Sequence, residues 1–195
     1  MARNAQIRRT TKETDIQVEY CLEGGTVDIA TGLGFFDHML NAFACHGGFG
    51  LQLHASGDLD VDQHHTMEDT GLALGQALLN ALGDKRGITR FGTAFVPMDE
   101  ALARVVIDLS GRPFLAWRAD FPQPIVGNGI SVRLFREFLQ AFANTAAATI
   151  HVDLLACEES HHGLEAIFKA LGRALAQAAA LRPGCQDIPS TKGSL

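Results

Sequence analysis

Apolar residues recur along the chain with two periods, one typical of strands and the other typical of helices. Within residues 16–22 every second residue is a large apolar one, as in a half-buried strand, and we predict a β-hairpin over residues 4–22. Within residues 36–43 the apolar side chains instead follow helical spacing, which predicts a helix that the Gly47-Gly48 pair ends.

The same two patterns continue to the end of the chain. An acidic loop over residues 58–62 precedes a long helical pattern, and Gly111-Arg112-Pro113 turns one predicted strand into the next. Strands are predicted at residues 26–30, 49–55, 91–97, 101–109, 114–119 and 149–155, and helices at residues 64–82, 130–147 and 161–181.

The order of strands, helix, strand and helix occurs twice, which indicates an internal duplication. Residues 36–44 align with residues 135–143, and the helices that follow both contain Gly-x-Ala-Leu. We predict an α/β (α+β) fold in which a four-stranded sheet with two helices on one face is built twice. Residues 1–195 would form a single domain of two repeats, about 1–90 and 91–195. The sheet faces are expected to pack together or against a neighbouring subunit.

Each repeat contains the motif His-His-x-x-Glu at the start of a predicted helix, first at residues 64–68 and again at residues 161–165. On a helix the Glu shares a face with its histidine pair, whereas the adjacent histidines diverge by about 100°. One ion could not easily bind both imidazoles of a pair. We therefore predict two metal ions, each taking one histidine from each motif.

The duplication also identifies further ligand candidates. His38 lies in the first helix of one repeat, and Glu137 occupies the aligned position in the other. A shell of imidazoles and carboxylates without thiolate suits Mn²⁺, Fe²⁺, Ni²⁺ or Zn²⁺. The predicted metal ligands are His38, His64, His65, Glu68, Glu137, His161, His162 and Glu165.

Composition and charge argue against a nucleic-acid-binding, membrane or exported protein. The 195 residues are 47% hydrophobic and carry a net charge of −6, with scattered basic residues, so no nucleic-acid surface is predicted. No apolar run reaches the length of a membrane span, and no signal peptide is recognisable, so neither a membrane role nor export is expected. The four cysteines form no Cys-x-x-Cys pair, which favours reduced thiols in a cytoplasmic protein.

Motifs in order along the whole chain resemble the imidazoleglycerol-phosphate dehydratase family of histidine biosynthesis. They are Phe-Phe-Asp-His-Met-Leu at 35–40, Asp-x-His-His-Thr-x-Glu-Asp at 62–69, Phe-Val-Pro-Met-Asp-Glu-Ala at 95–101, Asp-Leu-Ser-Gly-Arg-Pro at 108–113, Ser-His-His-x-x-Glu-Ala-x-Phe-Lys-Ala at 160–170 and Ser-Thr-Lys-Gly at 190–193. The resemblance implies repeats like ribosomal protein S5 domain 2 and two Mn²⁺ ions per active site. It also implies a homo-oligomeric cage of 24 subunits, assembled from trimers, with active sites between subunits.

The resemblance also implies roles for individual residues. Arg90, Arg112, Ser190 and Lys192 match phosphate-binding positions of the family. Glu13, Asp99, Glu165 and Lys169 are the candidates for proton transfer, and the identity of the base stays open. Where the family has His in Glu-His-Phe-Phe, this chain has Glu137, which is expected to bind the ion but to make it a weaker electrophile.

The implied reaction removes water from D-erythro-imidazole glycerol phosphate and gives imidazole acetol phosphate. The proton that is lost is not acidic by itself, so we expect metal ions on the ring nitrogens to stabilise an imidazolate that expels the hydroxyl group. Two alternatives are a metal-storage or metal-dependent assembly protein and a different metal-dependent lyase or isomerase. The phosphate-binding residues argue against the first of these.

Overall fold

The computed structural model describes residues 3–193 and residue 195. The helices and strands over these residues are β1 (Asn4–Thr10), β2 (Thr14–Cys21), β3 (Val27–Ala30), α1 (Gly34–Gly47), β4 (Gly50–Gly57), α2 (His64–Leu82), β5 (Phe91–Met98), β6 (Ala101–Asp108), β7 (Phe114–Arg118), β8 (Ile125–Val126), β9 (Ile130–Ser131), α3 (Val132–Ala146), β10 (Thr149–Ala156) and α4 (Ser160–Ala179). None of these helices combines the length and the apolar character that crossing a membrane requires.

The two halves of the chain form sheets of the same topology. The strand order is β1-β2-β4-β3 in the first sheet and β5-β6-β10-β7 in the second. In each sheet the first three strands are antiparallel, and the last strand pairs in parallel with its neighbour. The predicted fold class, a duplicated four-stranded sheet with two helices, is confirmed.

The helices lie between the two sheets, and each repeat packs its helices against those of the other. Helix α2 covers β1 and β2 and contacts α3, while α4 covers β5 and β6 and contacts α1. Aromatic rings fill this layer, with Phe36 and Phe138 5.1 Å apart between centroids. The expectation that the sheet faces pack together within the chain is therefore wrong, because the helical layers meet instead.

Two glycines allow the helices of the two repeats to approach closely. A Cβ on Gly172 of α4 would come closer than 3.0 Å to the carbonyl oxygen of Phe43 in α1. A Cβ on Gly75 of α2 would meet the carbonyl oxygen of Phe142 in α3 in the same way. These residues hold equivalent positions in the repeats, so the α1–α4 and α3–α2 pairs cross alike.

Replacing Gly172 with alanine is expected to lower the free energy of unfolding by about 1–3 kcal/mol, because the new methyl group overpacks the helix crossing. Denaturant unfolding of the full chain measures the change. Gly34→Ala is the matched control, since a Cβ at this helical glycine meets nothing within 4 Å. Equal stability of the two variants would show that the close approach is not needed.

One connection differs from the sequence prediction. The predicted helix 130–147 begins two residues later, because Ile130–Ser131 pairs with Ile125–Val126 as a short hairpin. The Ser131 hydroxyl then caps α3 by accepting a hydrogen bond from the backbone N–H of Arg133.

Candidate active site

A cluster of histidine and glutamate side chains at the start of α4 contains residues from both repeats. His38, on α1, lies with its Nε2 3.1 Å from Oε2 of Glu165, and His161 Nε2 lies 3.2 Å from the same oxygen. The ligand atoms of His38, His161 and Glu165 lie within 4.8 Å of one another. This convergence follows from the packing of α1 on α4, which brings a histidine of the first repeat to the second motif.

Glu165 is the centre of this cluster. Its side chain is only 11% exposed, and Lys169 donates to its other oxygen over 2.8 Å. Partial burial alone would raise the pKa of Glu165, but hydrogen bonds from Lys169 and His38 outweigh it and lower the pKa below its ordinary value. The group is therefore a carboxylate at neutral pH. Two imidazole nitrogens and a carboxylate oxygen at these separations fit a divalent cation.

The second histidine of the same motif enters a different cluster. His162 Nδ1 lies 2.9 Å from Oε2 of Glu100, and Asp99 joins them within 4.8 Å. Glu159 caps α4 by accepting hydrogen bonds from the backbone N–H groups of His161 and His162. The bond between His162 and Glu100 raises the pKa of His162 and lowers that of Glu100.

The first motif repeats this arrangement at the start of α2. His64 Nε2 lies 3.2 Å from Oε2 of Glu68, its own motif's carboxylate. His65 Nδ1 lies 3.0 Å from Asp58 and 3.8 Å from Glu13, and the hydrogen bond to Asp58 raises the pKa of His65. In both motifs the first histidine faces the motif's Glu, and the second faces a carboxylate from outside the motif.

Glu137 holds the position on α3 that His38 holds on α1. Its carboxylate lies 3.5 Å from Nη1 of Arg136, and the clusters found among the described residues do not contain it. Nor do those clusters hold histidines from both motifs. A metal role for Glu137, and an ion shared by the two motifs, both stay predictions.

The residues predicted to bind phosphate gather at one end of the β5–β6 hairpin. Arg90 donates to both oxygens of Asp108, over 2.7 and 3.1 Å, and Arg112 lies 3.7 Å from the same carboxylate. Arg90 also donates to the carbonyl oxygen of Pro189, which precedes Ser190. The backbone N–H of Lys192 donates to the Ser190 hydroxyl. The C-terminal segment is thereby held beside both arginines.

The metal-type clusters of the second repeat lie at the opposite end of this hairpin. Phe91 pairs with Asp108 at the arginine end, and Met98 pairs with Ala101 beside Glu100. The ends are the first and last residues of the eight-residue strand β5, and the seven steps between them correspond to about 23 Å. Within one chain a small molecule could not contact both Arg90 and His162.

Sequence reasoning missed the carboxylates that support the histidines and arginines. Asp58, Glu100, Glu159 and Asp108 come from loops, strand ends and a helix cap, and no periodic pattern marks them. The signal that could have found Glu100 is the repeat itself, because it holds the place before β6 that Glu13 holds before β2.

Fold and site together define a class: duplicated α/β chains with paired histidine–carboxylate clusters at helix starts that fit divalent cations. A comparison with known protein families then identifies the family within this class. The chain belongs to the imidazoleglycerol-phosphate dehydratase family, whose model matches residues 31–175. The resemblance inferred from the motifs is thus confirmed.

Similar proteins extend over the whole chain. The imidazoleglycerol-phosphate dehydratase of Lacticaseibacillus casei is 54% identical over 192 residues, covering 98% of each chain. That of Gluconacetobacter diazotrophicus is 55% identical, covering 100% of this chain and 98% of its own. The solved Staphylococcus aureus enzyme is 40% identical with a TM-score of 0.84, covering 92% of this chain and 99% of its own. The enzyme of Pyrococcus furiosus, solved in complex with (S)-C348, has the same TM-score at 41% identity, covering 97% and 100%.

Proposed function

We propose that this protein is a hydro-lyase that converts D-erythro-imidazole glycerol phosphate into imidazole acetol phosphate in histidine biosynthesis. The observation that supports this most directly is the convergence of His38, His161 and Glu165 from the two repeats, in a family named for this activity. Incubation of the purified protein with imidazole glycerol phosphate is expected to release the ketone product. A storage or assembly protein would bind metal without forming it.

We infer two Mn²⁺ ions per active site, held by His38, His64, His65, Glu68, Glu137, His161, His162 and Glu165. When bound, the ions would supply Lewis acidity that stabilises negative charge on the substrate ring. Other divalent metals with similar ligand preferences could replace Mn²⁺. Glu137 would add a negative charge to this set, which is expected to make an ion bound there a weaker electrophile.

The residues of the chain itself would bind the substrate and move its protons. Lys169 holds Glu165 as a carboxylate. In such a pair Glu165 would accept a proton from the substrate and Lys169 would donate one. Glu13 and Asp99 lie at the turns that precede β2 and β6, near His65 and His162, and are the other candidates.

The active site is proposed to form between subunits of a homo-oligomer, a cage of 24 built from trimers. The strand-length separation of the phosphate-binding and metal-binding groups supports this, because both must reach one small substrate. The outer face of the second sheet also offers apolar surface to a neighbour. Phe91, Phe95 and Phe114 are each more than half exposed there.

Replacing Lys192 with alanine is expected to raise KM about 10- to 100-fold, because a charge-assisted hydrogen bond to the phosphate group, worth about 1.5–3 kcal/mol, is lost. Steady-state kinetics measure the change. Arg8→Ala serves as a control, since it removes an exposed cation from the outer face of the first sheet. An unchanged KM in Lys192→Ala would remove this residue from the substrate site.

A further inference from the structure

The second histidine of each motif is bound to a carboxylate in the same way. His65 donates through Nδ1 to Asp58 over 3.0 Å, and His162 donates through Nδ1 to Glu100 over 2.9 Å. An ionised carboxylate can only accept hydrogen bonds. The neutral form of each imidazole therefore carries its proton on Nδ1 and keeps the lone pair of Nε2 for another partner.

Glu100 is itself held in place from two sides. Its Oε1 accepts a hydrogen bond from the backbone N–H of Glu159 over 3.0 Å, while Oε2 accepts from His162. The carboxylate of Glu159 in turn accepts from the backbone N–H of His162 over 3.1 Å. This loop of hydrogen bonds ties the β5–β6 turn to the start of α4 and limits rotation of the imidazole.

The sheet register shows that this arrangement belongs to the repeat. Cys21 of β2 pairs with Gly50 of β4, and Asp108 of β6 pairs with Thr149 of β10. Both β4 and β10 begin two residues after a left-handed helix cap, so the pairs are equivalent. Counting back along β2 and β6 makes Glu13 the equivalent of Glu100.

The two repeats fill the equivalent position differently. In the first repeat Glu13 lies 3.8 Å from His65, beyond hydrogen-bond distance, and Asp58 accepts the hydrogen bond from Nδ1 instead. The loop of Asp58 is fixed by its own backbone, since its N–H donates to the carbonyl oxygen of Glu13 and its carbonyl oxygen accepts from Val61. The same contact is thus made by residues at different places in the repeat.

We propose that Glu100 and Asp58 are positioning residues, which hold His162 and His65 with the proton on Nδ1 so that Nε2 can bind a divalent cation. The proposal rests on the proposed function, because that function assigns the histidines to metal ions. A carboxylate behind a metal-bound histidine orients the ring and raises its basicity, and losing such a partner typically costs 10- to 100-fold in metal affinity.

The decisive variant is Glu100→Gln, tested by Mn²⁺ binding to the full chain without substrate. The amide oxygen of the glutamine can keep the bond from Glu159, which leaves the amide nitrogen to donate to Nδ1 of His162. The imidazole proton must then move to Nε2. We expect one class of Mn²⁺ site to weaken about 10- to 100-fold, measured from the electron paramagnetic resonance signal of free Mn²⁺.

A purely structural role for Glu100 predicts the opposite result. If the residue only fixes the turn to α4, glutamine should bind Mn²⁺ like the original protein, and that outcome would overturn the proposal. Thermal unfolding of the same samples is expected to show little change. Asp28→Asn is the matched control, since it alters a carboxylate 3.1 Å from His54 on the outer face of the first sheet. Its Mn²⁺ affinity should be unchanged.

Asp58 provides a second, independent test. Its buried Oδ1 makes no hydrogen bond among the described residues, so an asparagine there can turn its carbonyl oxygen toward His65. Asp58→Asn should keep Mn²⁺ affinity within about threefold, whereas Asp58→Ala should lose about 10- to 100-fold. Equal losses in both variants would contradict the positioning role of Asp58.

Mn²⁺ binding to the unsubstituted protein distinguishes a failure of this proposal from a failure of the proposed function. If it binds no Mn²⁺, the metal requirement of the proposed function fails. If it binds Mn²⁺ and Glu100→Gln binds equally well, only the positioning role of Glu100 fails.

Discussion

Removal of divalent metal is expected to lower the turnover number by more than about a thousandfold, and added Mn²⁺ to restore it. The expectation follows from the reaction and from the residues available. The proton lost sits on a carbon that bears a hydroxyl group, and a carboxylate such as Glu165, with a lowered pKa, is a weak base for it. We therefore expect these side chains to depend on a Lewis acid that acts on the substrate ring.

The measurement is turnover before and after dialysis against a chelator. Chelator already saturated with Mn²⁺ is the control, since it adds the same solute without removing metal. Size-exclusion chromatography of the dialysed protein shows whether loss of assembly accompanies loss of activity. Full activity in protein shown to be free of metal would refute the metal requirement and leave the family assignment intact.

Periodicity predicted the regular elements because burial of one face imposes it. The helix predicted over 64–82 matches α2, His64–Leu82, because its Ala- and Leu-rich face is buried along its whole length. The pairing of Ile125–Val126 with Ile130–Ser131 was missed, since two residues cannot show a period. Short hairpins of this kind depend on the loop that joins them.

The stacking of the repeats could not be predicted from the strand pattern. In β5 the large residues Phe91 and Phe95 are exposed, whereas the small residues Gly92 and Ala94 are buried under α4. Alternation identifies two faces, but aromatic size would place the wrong one inside. Close packing of α4 requires small residues on the inner face, and that requirement appears only when the helix is in place.

The sequence predicted which residues form the candidate site, but it predicted only part of their spatial arrangement. Aligning the repeats singled out His38, and the fold places it against His161 and Glu165. Its partner Glu137 was singled out in the same way, yet its carboxylate lies beside Arg136. Among the described residues of one chain the predicted ligands lie in separate groups. A site formed between subunits, as proposed above, would need a second chain to bring them together.

Co-expression of two inactive variants is expected to regain about one quarter of the original kcat/KM, provided that each active site takes its metal-binding and phosphate-binding groups from different chains. Glu165→Gln would remove the carboxylate that His38, His161 and Lys169 share. Arg112→Ala/Lys192→Ala would remove two exposed cations at the far end of the β5–β6 hairpin. Each variant alone should fall below about 1% of the original kcat/KM.

The recovery has a simple physical origin. In a random assembly of equal parts, one site in about four combines the intact metal-binding half of one variant with the intact phosphate-binding half of the other. Differently tagged chains, purified through both tags, allow kcat/KM to be measured on mixed assemblies alone. Glu165→Gln mixed with His161→Ala is the matched control, because both variants damage the same half and should not recover. Activity no greater than the sum of the separate variants would place the whole site in one chain, and the strand-length separation between Arg90 and His162 would then have to close by a large movement.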